Sequence, residues 1–295
     1  MLLRQKKDLG YKNLYLPNKN VLVGGNRTKS SSKNNNFFFS IITVVLNNAN
    51  HIEETINSVI NQKVNLEYII IDGGSVDGTL DIIKKYEKYL DLWISEKDNG
   101  IYDAMNKGIK YSTGKYIGML NSGDLYNPEG LSIINKYLIK NKNLDFIFGT
   151  VNKKKIKYGF KKKKIYWSFD FYPSHSSGFF ISNLAQKNIG LYDTEFKLSA
   201  DHDLFYRLIY NNYKGIGTKK NEIIGHFRKV GGSFSSTFSF EDHINEEIKI
   251  RLNNNQNRFI ICLIIISNYL MKIFKKKKYS ISLESTIRLI RYVIQ

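Results

Sequence analysis

Four carboxylates stand where the sequence could support chemistry. Asp72 closes the apolar run "LEYIIID" and is followed by two glycines in "DGGSVDGT". Asp124 ends "NSGD", directly after "GKYIGML". Asp201 and Asp203 flank His202 in "SADHDLFYRL". A carboxylate at a strand end can accept hydrogen bonds from the N–H of a nucleotide base, and glycines beside it let a ligand approach the backbone. A hard divalent cation is often held by one or two carboxylates while substrate phosphates complete its shell, a chemistry that suits Asp124. An aspartate can also take a proton from an incoming hydroxyl, which suits Asp201 or Asp203. Each has a plain structural alternative. Asn, Ser, Gly and Asp favour turns. Asp77 and Thr79 can cap a helix, and acids near a helix N-terminus are favoured by its dipole. Arg207, four residues beyond Asp203, can pair with it.

The intervening elements decide whether these residues can meet. "FFFSIITVVL" (37–46), "LEYIIID" (66–72), "DLWIS" (91–95) and "GKYIGML" (114–120) read as buried strands. "ANHIEETINSVINQ", "SVDGTLDIIKKYEKYL" and "GIYDAMNKGIKYS" lie between them and read as helices, the first with Ile52, Ile56, Val59 and Ile60 on one side. This alternation predicts an α/β fold: a mostly parallel twisted sheet with helices on both faces. Ligands of such sheets bind beyond the carboxyl ends of the strands. The polar segments 47–48, 72–79, 96–100 and 121–124 all fall there and are expected to converge on one rim. After residue 143 the alternation weakens. "LDFIFGTV" and "HSSGFFIS" read as strands, the lysine-rich stretch between them as a hairpin, and 198–212 as a helix.

Composition narrows the classes. Hydrophobic residues are 42% of the 295 and aromatics 14%, enough for a sizeable core. Lys and Arg outnumber Asp and Glu by 45 to 26, giving a net charge of +19, which attracts polyanions such as nucleic acid, acidic lipid or phosphorylated small molecules. The lysines cluster in "NKKKIKYGFKKKK" and "KIFKKKK". A single cysteine, Cys262, excludes an internal disulfide framework and a cysteine-rich zinc site. Neither GxGxxG nor GxxxxGK[ST] occurs. The N-terminus has no apolar stretch of signal-peptide length. "FIICLIIISNYLM" at 259–271 is too short to span a membrane, which takes about 20 apolar residues. With the lysines that follow, it reads either as a core helix or as an interfacial anchor on acidic headgroups. The chain therefore reads as cytoplasmic, with peripheral attachment to the inner face of the plasma membrane.

The ordered set "SIITVVLNN", "IIIDGGSVDGT", "SEKDNGIYDAMNKGI", "GKYIGMLNSGD", "HSSGFF" and "ADHDLFYRL" resembles family 2 glycosyltransferases of the GT-A fold, closest to bacterial enzymes that build surface polysaccharides of the colanic acid and O-antigen type. The resemblance runs from about Phe39 to Gly232, and "GGNRTKS" is similar to the lead-in before the family's first strand. It implies a metal-assisted, inverting transfer of sugar from a nucleoside diphosphate sugar, a UDP-sugar, to a hydroxyl of a glycan or lipid-linked acceptor. Position by position, it implies that Val44 and Leu46 line the nucleotide, Asp72 binds the base, Asn106 and Asn121 face the nucleotide-sugar, and Asp124 holds Mn²⁺ or Mg²⁺. It implies Asp201 as the catalytic base, with Asp203 able to share the role. His175 matches a histidine common in the subgroup, and His226 with Arg228 is a candidate contact to acceptor or diphosphate. Asn121 and Gly123 stand where many members carry Asp, and Ala200 stands where the family has Glu. These departures imply weaker metal affinity and leave a degenerate transferase as one alternative. A sugar-phosphate nucleotidyltransferase and a basic nucleic-acid-binding protein are the others. The expected organisation is an extension and linker over 1–36, a catalytic domain over 37–239 (nucleotide half 37–125, acceptor half 126–239), and a helical tail over 240–295.

Overall fold

The computed structural model describes residues 21–29, 36–169, 175–228, 238–275 and 282–295. Twelve strands lie among them: β1 (Leu22–Gly24), β2 (Phe39–Val45), β3 (Leu66–Asp72), β4 (Leu92–Ser95), β5 (Tyr116–Met119), β6 (Leu125–Tyr126), β7 (Phe146–Phe148), β8 (Thr150–Lys153), β9 (Lys155–Lys157), β10 (Phe179–Ser182), β11 (Gly215–Gly217) and β12 (Ile223–His226). The helices are α1 (Asn26–Lys29), α2 (Ala49–Ile60), α3 (Thr79–Lys85), α4 (Ile101–Tyr111), α5 (Gly130–Lys140), α6 (Lys162–Trp167), α7 (Asn183–Ile189), α8 (Ala200–Tyr210), α9 (Phe240–Asn253), α10 (Arg258–Lys275) and α11 (Leu283–Ile294). They divide into two compact units. Among the described residues the first holds 21–29, 36–160, 175–192 and 213–228, and the second holds 161–169, 193–212, 238–275 and 282–295.

The first unit is built on an eight-stranded sheet, ordered β1-β4-β3-β2-β5-β10-β7-β11. The β4-β3-β2-β5 block is parallel, as the strand–helix alternation requires. β10 enters antiparallel to both β5 and β7. All seven residues of β2 are buried, so both faces of that strand are covered. The core joins Ile41, Ile52, Ile56, Ile70 and Phe180. Burying a side chain of this size stabilises by roughly 1.5–3 kcal/mol. A smaller sheet, β6-β12-β8-β9, carries the first part of the lysine-rich stretch, which forms the expected hairpin through residue 157, whereas Lys162–Lys164 open α6 instead.

The stretch expected as linker differs. Residues 22–24 pair antiparallel with β4 as an edge strand. Arg27, in "GGNRTKS", forms an ion pair with the fully buried carboxylate of Glu67 and donates to the Tyr111 carbonyl at 2.7 Å. Glu67 also accepts from Thr113 and Gly114, so a buried charge has both a counter-ion and donors. The rest of the expected extension, 1–20 and 30–35, lies outside the described residues.

The second unit does not start at residue 240. It combines α6 and α8 with α9, α10 and α11. Ile244 and Ile248 of α9, Ile261, Ile264 and Ile265 of α10, and Leu289 and Val293 of α11 form its core. The apolar run at 259–271 is thus partly a core helix. No helix among the described residues is long and apolar enough to cross a membrane.

Candidate functional site

The strand ends of the first unit are stitched into one rim by their own polar residues. Gly73 N donates to the Val45 carbonyl at 2.9 Å and Ser122 N to the Val44 carbonyl at 3.1 Å. Asn48 reaches two other loops, its N donating to Thr79 Oγ1 at 2.9 Å and its Nδ2 to Ser122 Oγ at 2.7 Å. Asp77 accepts from Thr79 and from Ala49 N, which holds the α3 entry loop against the first turn of α2. The loops after β2, β3 and β5 therefore converge as the sequence predicts.

Within that rim Asp72 has another task. It is fully buried, and its carboxylate accepts from Ser75 N, from Ser75 Oγ at 2.5 Å and from Ser95 Oγ at 2.6 Å. Those bonds fix the glycine turn and leave little of the carboxylate for a ligand. The half-buried acid beside it is Asp98, on the loop after β4. A Cβ built on Gly73 would lie 2.4 Å from Asp98 Oδ2 and 3.4 Å from Leu46 Cδ1. Gly73 therefore leaves a bare backbone strip flanked by Leu46, 55% exposed, and by a carboxylate. Burial pushes the Asp98 carboxyl up. The Gly100 N–H and Lys107 oppose this, while Asp103 and Asp72 add to it. Sequence reasoning marked the 96–100 loop but not this residue, because "KDNG" carries the signature of an ordinary turn.

Asn106 is also committed elsewhere. Its side chain donates to the Tyr192 carbonyl at 2.9 Å and accepts from Tyr192 N at 2.9 Å, a two-bond clamp that pins the 192 segment to α4. The expectation that Asn106 faces a sugar nucleotide gives way to this positioning role.

Asp124 sits in a turn made by Gly123 at φ 97°, a conformation that favours glycine over the aspartate other members carry there. Thr55 of α2 donates to the Asp124 carbonyl and accepts from Gly123 N. Arg228 closes the other side: its N donates to Asp124 Oδ1 at 3.2 Å and its Nε to the Gly123 carbonyl at 2.8 Å, while its guanidinium pairs with Glu54. The Asp124 side chain is buried, and Oδ2 accepts no hydrogen bond among the described residues although His175 Nδ1 lies 3.3 Å away. Asn121, which donates to Ser176 Oγ, has a buried Oδ1 that likewise accepts none. Buried polar atoms are normally satisfied. His175 Nδ1 also meets Ser176 Oγ at 3.1 Å. An orphaned carboxylate oxygen beside an imidazole, with a second orphaned oxygen in the same turn, is a donor set of the kind that fits a divalent cation. Phe227 packs against His175 with ring centroids 4.3 Å apart and the planes tilted by 48°. His226 lies on β12, paired with Leu125 and Asn152.

The second unit carries the other candidates. Asp201 is half-buried in the first turn of α8, where its Oδ1 accepts from His202 N. Asp203 is fully buried and accepts from Arg207 Nε at 2.8 Å and Asn254 Nδ2 at 3.1 Å. It is a structural anchor, and the shared catalytic role expected of it is corrected accordingly. One face of α9 grips the whole segment. Glu246 accepts from Lys197 N and Leu198 N, His243 Nδ1 meets Ser199 Oγ at 3.0 Å, and Glu247 contacts His202 Nδ1. The ligand atoms of His202, His243 and Glu247 lie within 4.8 Å of one another. Arg251 stands 3.8 Å from Glu247, so this cluster already has its cations. Burial alone would lower the His202 imidazole, but Glu247 outweighs it and pushes the group up to about 9.

A parallel block extended by antiparallel strands, with its acids on the strand-end rim, is the architecture of GT-A transferases. The chain belongs to glycosyl transferase family 2, whose family model matches residues 40–199. An uncharacterized glycosyltransferase of Mycobacterium tuberculosis is 30% identical over 176 residues, which is 56% of this chain and 66% of that protein. The chondroitin synthase of Pasteurella multocida is 36% identical over 107 residues, 35% of this chain and 11% of the synthase. This chain thus spans just under two thirds of the first relative and about a tenth of the second. Among solved structures, S. aureus TarS 1-349 in complex with UDP-GlcNAc is similar with a TM-score of 0.64 at 18% identity, covering 87% of this chain and 80% of that one. The mannosyltransferase PcManGT from Pyrobaculum calidifontis, solved with GDP-Man and Mn²⁺, gives a TM-score of 0.56 at 14% identity over 88% of this chain and 80% of its own.

Proposed function

We propose that this chain transfers a sugar from a nucleoside diphosphate sugar, a UDP-sugar, to a hydroxyl of a glycan or lipid-linked acceptor in cell-surface polysaccharide assembly, with inversion at the anomeric carbon. The observation that carries the proposal is the orphaned buried Asp124 Oδ2 beside His175, with a second orphaned oxygen, Asn121 Oδ1, in the same turn. The UDP-GlcNAc held by TarS supports the choice of donor class.

The base lies on the bare strip at Gly73, against Leu46, and donates an N–H to Asp98. Asp72 acts indirectly, by holding the turn that keeps Gly73 in place. Asp124, Asn121 and His175 would hold Mn²⁺ or Mg²⁺, which would neutralise charge on the departing diphosphate. Arg228 and Thr55 keep the Asp124 carboxylate in its turn. Asp201 accepts the acceptor's hydroxyl proton. The acceptor oxygen then bonds to the anomeric carbon from the face opposite the leaving group, and the bond to the diphosphate breaks. The α9 grip on 197–203 keeps that carboxylate oriented, and alignment of the reactants supplies much of the acceleration.

The enzyme works at the cytoplasmic face of an acidic membrane. Phe259, Leu263, Ile266 and Leu270 are exposed at three- and four-residue intervals along α10, an apolar stripe suited to an interface. Residues 276–278 of the lysine run that the sequence couples to it lie outside the described residues. A thermal-shift screen with UDP-, GDP- and TDP-sugars plus Mn²⁺ tests the proposal. A rise confined to UDP-sugars supports it; no rise with any of them contradicts it.

A further inference from the structure

The most concentrated charge in the first unit is the β8–β9 hairpin, "NKKKIKY". Its turn is the single residue Lys154 at φ 53°. β9 is the outer strand of its sheet, and all three of its residues are exposed. Lys154, Lys155 and Lys157 have no carboxylate partner among the described residues. Lysines on an edge strand discourage unwanted strand pairing, which accounts for part of this pattern. It does not account for the cations set over aromatic rings beside it. Lys153 Nζ lies 4.3 Å from the Phe227 ring centroid, and Lys220 Nζ lies 5.6 Å from that of Tyr158.

The hairpin is tied to the Asp124 centre by short contacts. Phe227 N donates to the Asn152 carbonyl at 3.0 Å, the Phe227 ring packs at a tilt against His175, and His175 Nδ1 lies 3.3 Å from Asp124 Oδ2. A row of ammonium groups therefore starts beside the proposed donor diphosphate site and runs out to the sheet edge. A neutral acceptor would gain nothing from it. On a strand, alternate side chains such as Lys155 and Lys157 lie about 7 Å apart, a spacing that can follow a repeating anion.

We propose that this hairpin binds an anionic acceptor: a glycan chain carrying phosphodiester groups, drawn along the lysines with one hydroxyl presented at the Asp124 centre. The transfer step rests on the function proposed above; the binding does not. The test compares the wild-type chain with the Lys154→Gln/Lys155→Gln/Lys157→Gln variant. The probes are medium-chain polyphosphate, neutral dextran, phosphatidylglycerol vesicles and UDP with Mn²⁺, over a range of salt. Counterion release contributes about 0.7 to the log–log salt slope per phosphate neutralised on a single-stranded polyanion. The variant should therefore lose about two units of slope and at least tenfold in polyphosphate affinity. UDP affinity and melting temperature should stay unchanged, and dextran should not bind. Equal polyphosphate binding by the two chains overturns the proposal. So does a loss confined to vesicles, which would make the face a membrane contact. Absence of UDP binding by the wild-type chain would instead defeat the donor reading and leave the polyanion result standing.

Discussion

Replacing Glu247 by Gln removes the partner that keeps His202 charged inside the second unit. His202 rises from its ordinary value of 6.5 to about 9 because contact with Glu247 outweighs the opposing effect of burial. A proton held that way is worth roughly 2–3 kcal/mol of stability at pH 7. A raised imidazole contributes fully below its unfolded value of 6.5, and the contribution disappears as pH rises through about 9. Glu247 itself is lowered against the effect of burial by His202 and Arg251, so its share is lost only as pH falls through the acid range. At roughly 2–4 °C per kcal/mol for a domain of this size, Glu247→Gln should melt about 5–10 °C below wild type at pH 7. The gap should narrow towards about pH 10, where His202 is neutral in both proteins and only the Arg251–Glu247 pairing still separates them. Thermal unfolding of the two chains across that range reads it directly. A gap of the same size at both ends, or none at pH 7, would refute the ion-pair account of how α9 grips the segment around Asp201.

Asp98→Asn should weaken UDP binding by about 10- to 100-fold, the worth of one charge-assisted hydrogen bond, while binding of pyrophosphate with Mn²⁺ is unchanged in the same titration. Asp201→Asn should keep donor affinity and lose transfer by about 10²- to 10⁴-fold, the usual contribution of a general base. Retained turnover would place the base elsewhere. Changing Phe259, Leu263 and Leu270 together to Ser should reduce flotation with phosphatidylglycerol vesicles without lowering the melting temperature. Deleting the tail is a poor test of the same idea, because Ile261, Ile265, Leu289 and Val293 belong to the core of the second unit.

The alternation of apolar runs with helical stripes was enough to place the four parallel strands and their rim. Each strand is buried on both faces, so its sequence is a continuous apolar block ending in polar residues. The antiparallel insertion of β10 between β5 and β7 depends on packing between residues about 30 to 65 positions apart, which leaves no local signal. The short strand at residues 22–24 was hidden for a similar reason: a polar edge needs only three residues and a partner. Among the candidate site residues, the placement of Asp124 on the strand-end rim was legible from its position after an apolar run. The bonds of Asp72 to Ser75 and Ser95 could not be read from the sequence, because a strand-end carboxylate looks the same whether it faces a ligand or two serines. Asp203 misled in the same way, since its partner Asn254 lies 51 residues further on. The grip of α9 on 197–203 was invisible because its histidine and carboxylates, at 243, 246 and 247, read as an ordinary polar helix face.

The central claim is that Asp124 anchors a cation at which a nucleoside diphosphate docks. Calorimetric titration of UDP into wild type and Asp124→Ala, each with and without Mn²⁺, tests it most directly. The account predicts that Mn²⁺ strengthens UDP binding to wild type by at least tenfold and leaves the variant's weak affinity unchanged. Equal metal enhancement in both chains would contradict it.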